Sequence, residues 1–375
     1  MTKKILITIV TFLCIATMSY SQKLMIGNYT FSKDGSEYTG QMMSGKPQGK
    51  GKCIFKNGDV YEGDYVKGKR NGYGICTYAN GEKYDGYWFQ DQQHGKGTFY
   101  FENNNRYEGL WYRDFREGKG KMYYYNGDLY EGEWKANNRE GKGVYTYSKS
   151  GAYYDGEWKE DKKCGRGTFD WGDGSTYTGM WINNQRNGKG TFLYTDGDYF
   201  DGNWTDDIQN GKGIYKFKNG DKYEGDYVQG ERTGEGIFTF ANGDKYIGHF
   251  VNGEQSGQGT CTWKNGAVYI GTWNGNKFDG RGKYTSKNGD VYLGDWKNGL
   301  MDGEGILRLT NGDKYKGAFK AGKKSGKCVE ENKEGVRFEG YYRNGERDGA
   351  FTEMDRNGNT IRKGSYKNGT IDSTK

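Results

Sequence analysis

Tyr61–Lys83 reads YEGDYVKGKRNGYGICTYANGEK, and this 23-residue unit decides the fold. It recurs 14 times in succession from Tyr38 to Thr360, with one inserted residue near Tyr153. A fixed period of this kind marks a repeat array, in which each unit buries its apolar face only against its neighbours. Numbering each unit from its leading aromatic, position 1 is Tyr in 12 units and Phe in two, Phe200 and Phe338. Position 3 is always Gly, and position 5 is Trp in eight units and otherwise Tyr, Phe or Met42. Positions 16 and 18 are mostly aromatic, as at Phe99 and Phe101. Within each half of the unit these residues alternate with period two, which places them on one face of a strand.

The glycines divide by role. Those at positions 3 and 14 fall on the aromatic face, where a missing side chain lets a ring lie over backbone. Position 8 is Gly, Asn or Asp in every unit, the residue types that tolerate positive φ. Position 12 is Gly in all 14 units. Asn-Gly recurs at positions 20 and 21, as in Asn80-Gly81 and Asn219-Gly220, a strong hairpin signal. Each unit therefore reads as strand, turn, strand, turn. The fold class expected is all-β, an elongated single-sheet solenoid of antiparallel β-hairpins. At roughly 4.8 Å per strand the ribbon would reach about 130 Å before twist shortens it.

The recurring Y-x-G-x-W-x-x-G-x-x-x-G-x-G pattern resembles the MORN (membrane occupation and recognition nexus) repeat, closely over Tyr38–Lys314 in 12 units. The resemblance implies β-hairpin scaffolds, sometimes dimeric, with lipid binding proposed for some members. A homodimer is thus one implied arrangement.

Outward from the array, Met1–Ser21 has Lys3 and Lys4 ahead of an apolar stretch from Ile5 to Met18, then the small residues around Ser21. This reads as a signal peptide cleaved near Ser21, which implies export to the periplasm, the cell surface or the medium. Residues 22–37 read as the second half of a unit, capping the first full hairpin. Residues 315–375 are divergent repeats and a cap: position 16 becomes Glu330 and Glu353, and position 18 becomes Asn332 and Asp355. Terminal repeats that turn polar on their buried face are expected caps, and these units also resemble a looser MORN variant of antitoxin-like proteins.

Composition bears on function mainly by exclusion. The chain carries 56 basic and 49 acidic residues, near balance for its length, so charge gives no ground for a nucleic-acid partner. Mean hydropathy is very low, yet 34 Tyr, 18 Phe and 10 Trp argue against disorder. Beyond the leading segment, Cys53, Cys76 and Cys261 occupy core position 16, some 9–10 Å from the same position in an adjacent unit, too far for a bridge. His94 and His249 lack any metal-ligand spacing. The G-x-G pairs sit in hairpins rather than at a strand-to-helix junction, so they make no phosphate loop, and kinase signature residues are absent. Acids following the turn Gly, such as Asp59 and Asp221, read as turn solvation rather than a calcium ladder. No catalytic residue, cofactor or metal site is expected, and the chain reads as no enzyme.

Two functions compete. The first is an exported scaffold that binds a protein or an envelope polymer; sugar stacking on the aromatic rows is weaker than their use as core. The second is peripheral binding to an anionic membrane or polymer through a basic edge. That edge would comprise position 13, with Lys50, Lys96, Lys119, Lys142, Arg166, Lys189 and Lys212, and position 10, with Arg70, Arg116, Arg139, Lys163 and Arg186. Both columns are expected along one side of the ribbon, with like charges about every 10 Å.

Overall fold

The computed structural model describes residues 23–374, in which every regular element is a β-strand and the connections are turns and short irregular segments. The proposed signal segment lies outside the described residues. The chain forms two compact units, one ending at Glu140 and one beginning at Gly141. Within each, consecutive strands pair antiparallel as a meander of hairpins, so the all-β reading of the repeat holds.

In the first unit, Met25–Thr30 pairs with Glu37–Met43 and sets Gly27 opposite Gly40 and Tyr29 opposite Tyr38. The segment ahead of the first full repeat thus repeats the second-strand pattern of a unit. Thereafter the glycines of positions 3 and 14 face each other strand after strand, Gly40 to Gly51, Gly51 to Gly63, Gly63 to Gly74. The second unit repeats this register from Gly143–Gly156 to Gly305–Gly317.

That glycine ladder is the floor of the core. Each position-1 ring lies flat across it: a Cβ on Gly86 would stand 2.5 Å from Gly97 Cα and 2.7 Å from the Tyr84 hydroxyl oxygen. The ring hydroxyl then donates to the carbonyl of position 4, as from Tyr107 to Leu110 at 3.1 Å and Tyr177 to Met180 at 3.1 Å. Position-5 Trp fills the space between successive rings, edge-on to both, with Trp88 at 5.1 Å from Tyr84 and 5.4 Å from Tyr61. Its indole N–H donates to the position-14 carbonyl of the preceding repeat, as from Trp181 to Gly167 at 3.1 Å. Edge-to-face ring packing is favourable beyond its burial. A single sheet thereby builds a core without a second layer, with Tyr61, Tyr84, Tyr154, Tyr177 and Tyr223 fully buried.

The turns are of two kinds. At the first, positions 7 and 8 both take positive φ, as in Lys67 at 51° and Gly68 at 85°, with Val66 paired to Lys69 across a two-residue loop. Such a turn matches the strand twist. Position 7 is not glycine-rich, and Lys67, Gln90, Arg113 and Glu160 accept the left-handed conformation there. At the second turn Gly81 N–H donates to Tyr78 and Tyr78 N–H to Glu82, both at 2.9 Å, enclosing three residues with only the Gly at positive φ.

Candidate functional site

Five side-chain columns cover the aromatic face. Besides positions 1, 5, 16 and 18, position 10 lies over it, because a bulge after position 3 pairs position 10 with position 5, as Trp111 with Arg116 and Trp181 with Arg186. The glycine at position 12 takes positive φ at this irregularity, 72° at Gly118 and 68° at Gly188. Position 10 therefore acts as a lid. The Arg70 guanidinium lies 4.1 Å from the Trp88 ring centre, Arg116 4.3 Å from Trp134, and Arg186 4.4 Å from Trp204. Each also donates to the position-8 carbonyl of the next repeat, with Arg186 to Asp207 at 2.9 Å. Where no cation is present, Gln93 and Gln209 donate to the hydroxyls of Tyr78 and Tyr194 instead. Phe278 stacks on Tyr269 with ring centres 3.8 Å apart.

This corrects the expected basic edge. Lys50, Lys96, Lys119, Lys142, Arg166, Lys189 and Lys212 are exposed, on the face opposite the rings. Arg70, Arg116, Arg139, Lys163 and Arg186 are half-buried on the aromatic face. The physical reason is strand alternation: positions 10 and 13 are three residues apart and point to opposite faces, and the bulge, which adds two residues to the second strand, leaves position 10 on the side of positions 14, 16 and 18. Within the exposed column, Lys50 pairs with Asp64 at 2.8 Å and Lys212 with Asp226 at 2.7 Å.

The acids and amides of the turns also have a task that spacing alone did not show. Asp59 accepts the backbone N–H of Ala79, and Asp221 that of Ala241, each in the turn of the next repeat. Position 8 works the same way at the other turn, where Asp91 accepts from Arg70 N–H at 2.8 Å and Asn276 from Gln255 N–H at 2.9 Å. These contacts stitch repeat to repeat, and among the described residues no group of three or more His, Cys, Asp and Glu is arranged to hold a metal ion.

Reactive side chains are absorbed into packing. The His94 ring lies between Phe89 and Tyr112, at 5.6 and 5.3 Å. Cys53, Cys76, Cys261 and Cys328 are buried free thiols, and desolvation pushes Cys53 and Cys261 up to about 11. In the divergent C-terminal repeats a carboxylate replaces a ring. Burial alone would raise the Glu330 carboxyl, but hydrogen bonds from Lys324, Arg347 and Tyr342 hold it below its ordinary value.

What stays accessible is the opposite, open face, made by positions 2, 4, 13, 15 and 17. In the second unit it carries a groove of about 590 Å³ floored by Gly202, Gly213, Gly225 and Gly236, with Lys212, Glu235, Ile237 and Ile247 along its sides.

A model of the MORN repeat matches thirteen consecutive segments from residue 38 to residue 336, one repeat beyond the closely matching sequence block. No curated protein matches the chain. Among solved structures, the TCP10 domain of Danio rerio CPAP in complex with a peptide of Danio rerio STIL aligns at 14% identity and TM-score 0.34, covering 54% of this chain and 89% of that one. The TCP domain of Drosophila melanogaster SAS-4, in complex with a proline-rich motif of Ana2, aligns at 16% identity and TM-score 0.28, covering 46% and 87%.

Proposed function

The chain belongs to the MORN repeat family, and from that premise we propose that it is a non-enzymatic, exported scaffold that binds a protein partner on the open face of its sheet. The observation that carries this reading is the division of labour between the faces. Rings, glycines and position-10 lids occupy one another on the aromatic side, which leaves the open face as the surface presented repeatedly to a partner. The same packing weighs against sugar stacking, which needs free ring faces. The non-enzymatic part is supported by the raised thiols and the His94 packing, and export by the composition of Met1–Ser21.

The test places a photo-crosslinking amino acid at Thr191 or Thr260, both on the open face, and at Phe217 on the aromatic face, in cells that make the protein. Adducts of defined mass at the open-face sites, and none at Phe217, are expected. An absence of adducts at both open-face sites would remove this reading. A second reading, peripheral binding to an anionic surface, rests on the exposed position-13 column. Sedimentation with anionic vesicles at low and physiological salt tests it, alongside a variant with Lys96, Lys119, Lys142, Arg166, Lys189 and Lys212 all changed to Gln; equal binding by the variant would eliminate it.

A further inference from the structure

The open face of the second unit is not uniform, and its pattern names a class of partner. Positions 2 and 15 form one row running across the strands, linked residue to residue by the sheet register. In the first unit this row is largely charged and cross-paired, as in Lys121–Glu131 at 2.9 Å. From Ile214 onward aliphatic residues dominate it, with Ile214, Ile237, Ile247, Ile270, Leu293 and Ile306, interrupted by Glu224, which pairs with Lys222 at 2.8 Å, by Thr260 and by Lys283. Ile247, Ile270 and Leu293 are 46%, 52% and 48% exposed. Aliphatic side chains repeated along a solvated sheet face mark an interaction surface.

The flanks of the row differ in charge. On one side, positions 17 and 23 supply Lys216, Lys222, Lys245, Arg308 and Lys314 with no carboxylate from Lys216 to Lys314. On the other side, positions 4 and 13 include Asp226, Glu235, Asp295 and Glu304, with Lys212 and Arg281 paired to Asp226 and Asp295 at 2.7 and 3.6 Å. An anionic bilayer would meet Glu235 and Glu304, which no lysine or arginine of that flank pairs, beside the apolar row, which disfavours it. Strand spacing selects the conformation of the occupant. Apolar groups recur along the row one or two strands apart, at about 4.8 Å per strand, close to one or two helical turns of roughly 5.4 Å each. The same side of an extended chain repeats at about 6.7 Å and loses register within a few strands.

Resting on the reading of the open face as the binding face, we infer that repeats 8–12 dock an amphipathic helix of a protein partner, its apolar stripe along the Ile214–Ile306 row and acidic residues on the flank facing Lys222 and Lys245.

The probe is a synthetic 21-residue helix with Leu at i, i+3, i+4 and i+7 and Glu along one flank, compared with its counterpart carrying Lys on that flank. Binding of each to the full chain is measured by fluorescence anisotropy, with sedimentation velocity run in parallel. The Glu peptide is expected to bind about tenfold tighter than the Lys peptide. Ile247→Asp with Ile270→Asp should weaken both about tenfold or more, with unchanged circular dichroism. Lys222→Glu with Lys245→Glu should reverse the preference. Equal affinity for the two peptides, no binding of either, no reversal, preferential binding to anionic vesicles, or a chain dimer that excludes the peptide would each overturn the inference. Crosslinks at Thr191 or Thr260 without peptide binding would leave the scaffold reading standing and remove only the helix.

Discussion

At the scale of single residues, the repeat depends on a glycine pair and the tyrosine above it. A methyl group on Gly86 meets Gly97 Cα at 2.5 Å, and backbone cannot yield there as a flexible side chain would. Gly86→Ala is expected to destabilise by about 3 kcal/mol, the upper end for overpacking, whereas Thr77→Val, on the exposed face of the adjacent strand, should stay within about 0.5 kcal/mol. Denaturant melts of the two variants check this, and similar midpoints would show that the faces are misassigned. The tyrosine hydroxyls supply a second expectation. Burial pushes Tyr177, Tyr223, Tyr269 and Tyr292 up to about 12. Because the folded value lies above the unfolded value near 10, the neutral ring is the form the fold favours. Their contribution is complete below about pH 10 and is lost as pH rises toward 12. Melting temperature should therefore fall in that alkaline window, together with the rise of tyrosinate absorbance; an unchanged melting temperature from pH 9 to 12 would contradict it.

At the scale of the hairpin, the lid and the stitches decide which cations are structural. Arg186 and Arg166 have the same chemistry and lie in neighbouring repeats, yet Arg186 stacks on Trp204 while Arg166 faces solvent. Arg186→Ala removes a cation–ring contact and hydrogen bonds to Asp207, so a loss of about 1–3 kcal/mol is expected. Arg166→Ala should cost less than about 0.5 kcal/mol. Thermal melts of the two single variants distinguish a lid from a solvated column, and equal losses would refute the assignment. The turn acids obey the same logic: Asp221 and Asp244 bond the following turn, so their carboxylates serve the next repeat rather than their own.

At the scale of the molecule, contacts run between neighbouring repeats, and the register from one glycine pair to the next is the same in repeats 8, 9 and 10. Stability then approximates a sum of repeat and interface terms. Removing the whole of residues 223–245 rejoins equivalent positions and should leave a folded β protein with a cooperative melt. Removing residues 223–234 instead joins strands out of phase and sets a first-strand face where a second-strand face belongs, so it should lose that cooperativity. Circular dichroism melts of the two deletions check this. Equal behaviour would mean that the repeats do not act as interchangeable units.

The fold was legible in the sequence because its determinants are local and repeated. Aromatic alternation, the Gly columns at positions 3 and 14 and the turn glycines each recur at a fixed step, so strand, face and hairpin follow from spacing alone. The placement of Arg116, Arg139 and Arg186 was not legible. Alternation from the ring positions 16 and 18 reaches position 10 but not position 13; what spacing did not show is that a bulge adding two residues to the second strand pairs position 10 with position 5 and lays those cations over the rings. The left-handed Lys67 and Gln90 were hidden for a related reason, since the turn imposes a conformation that their residue type does not announce. The aliphatic residues from Ile214 to Ile306 lie 10 to 23 apart in sequence and share one row through pairing register. Only the tertiary structure, by setting each strand beside the next, turned scattered isoleucines into one surface.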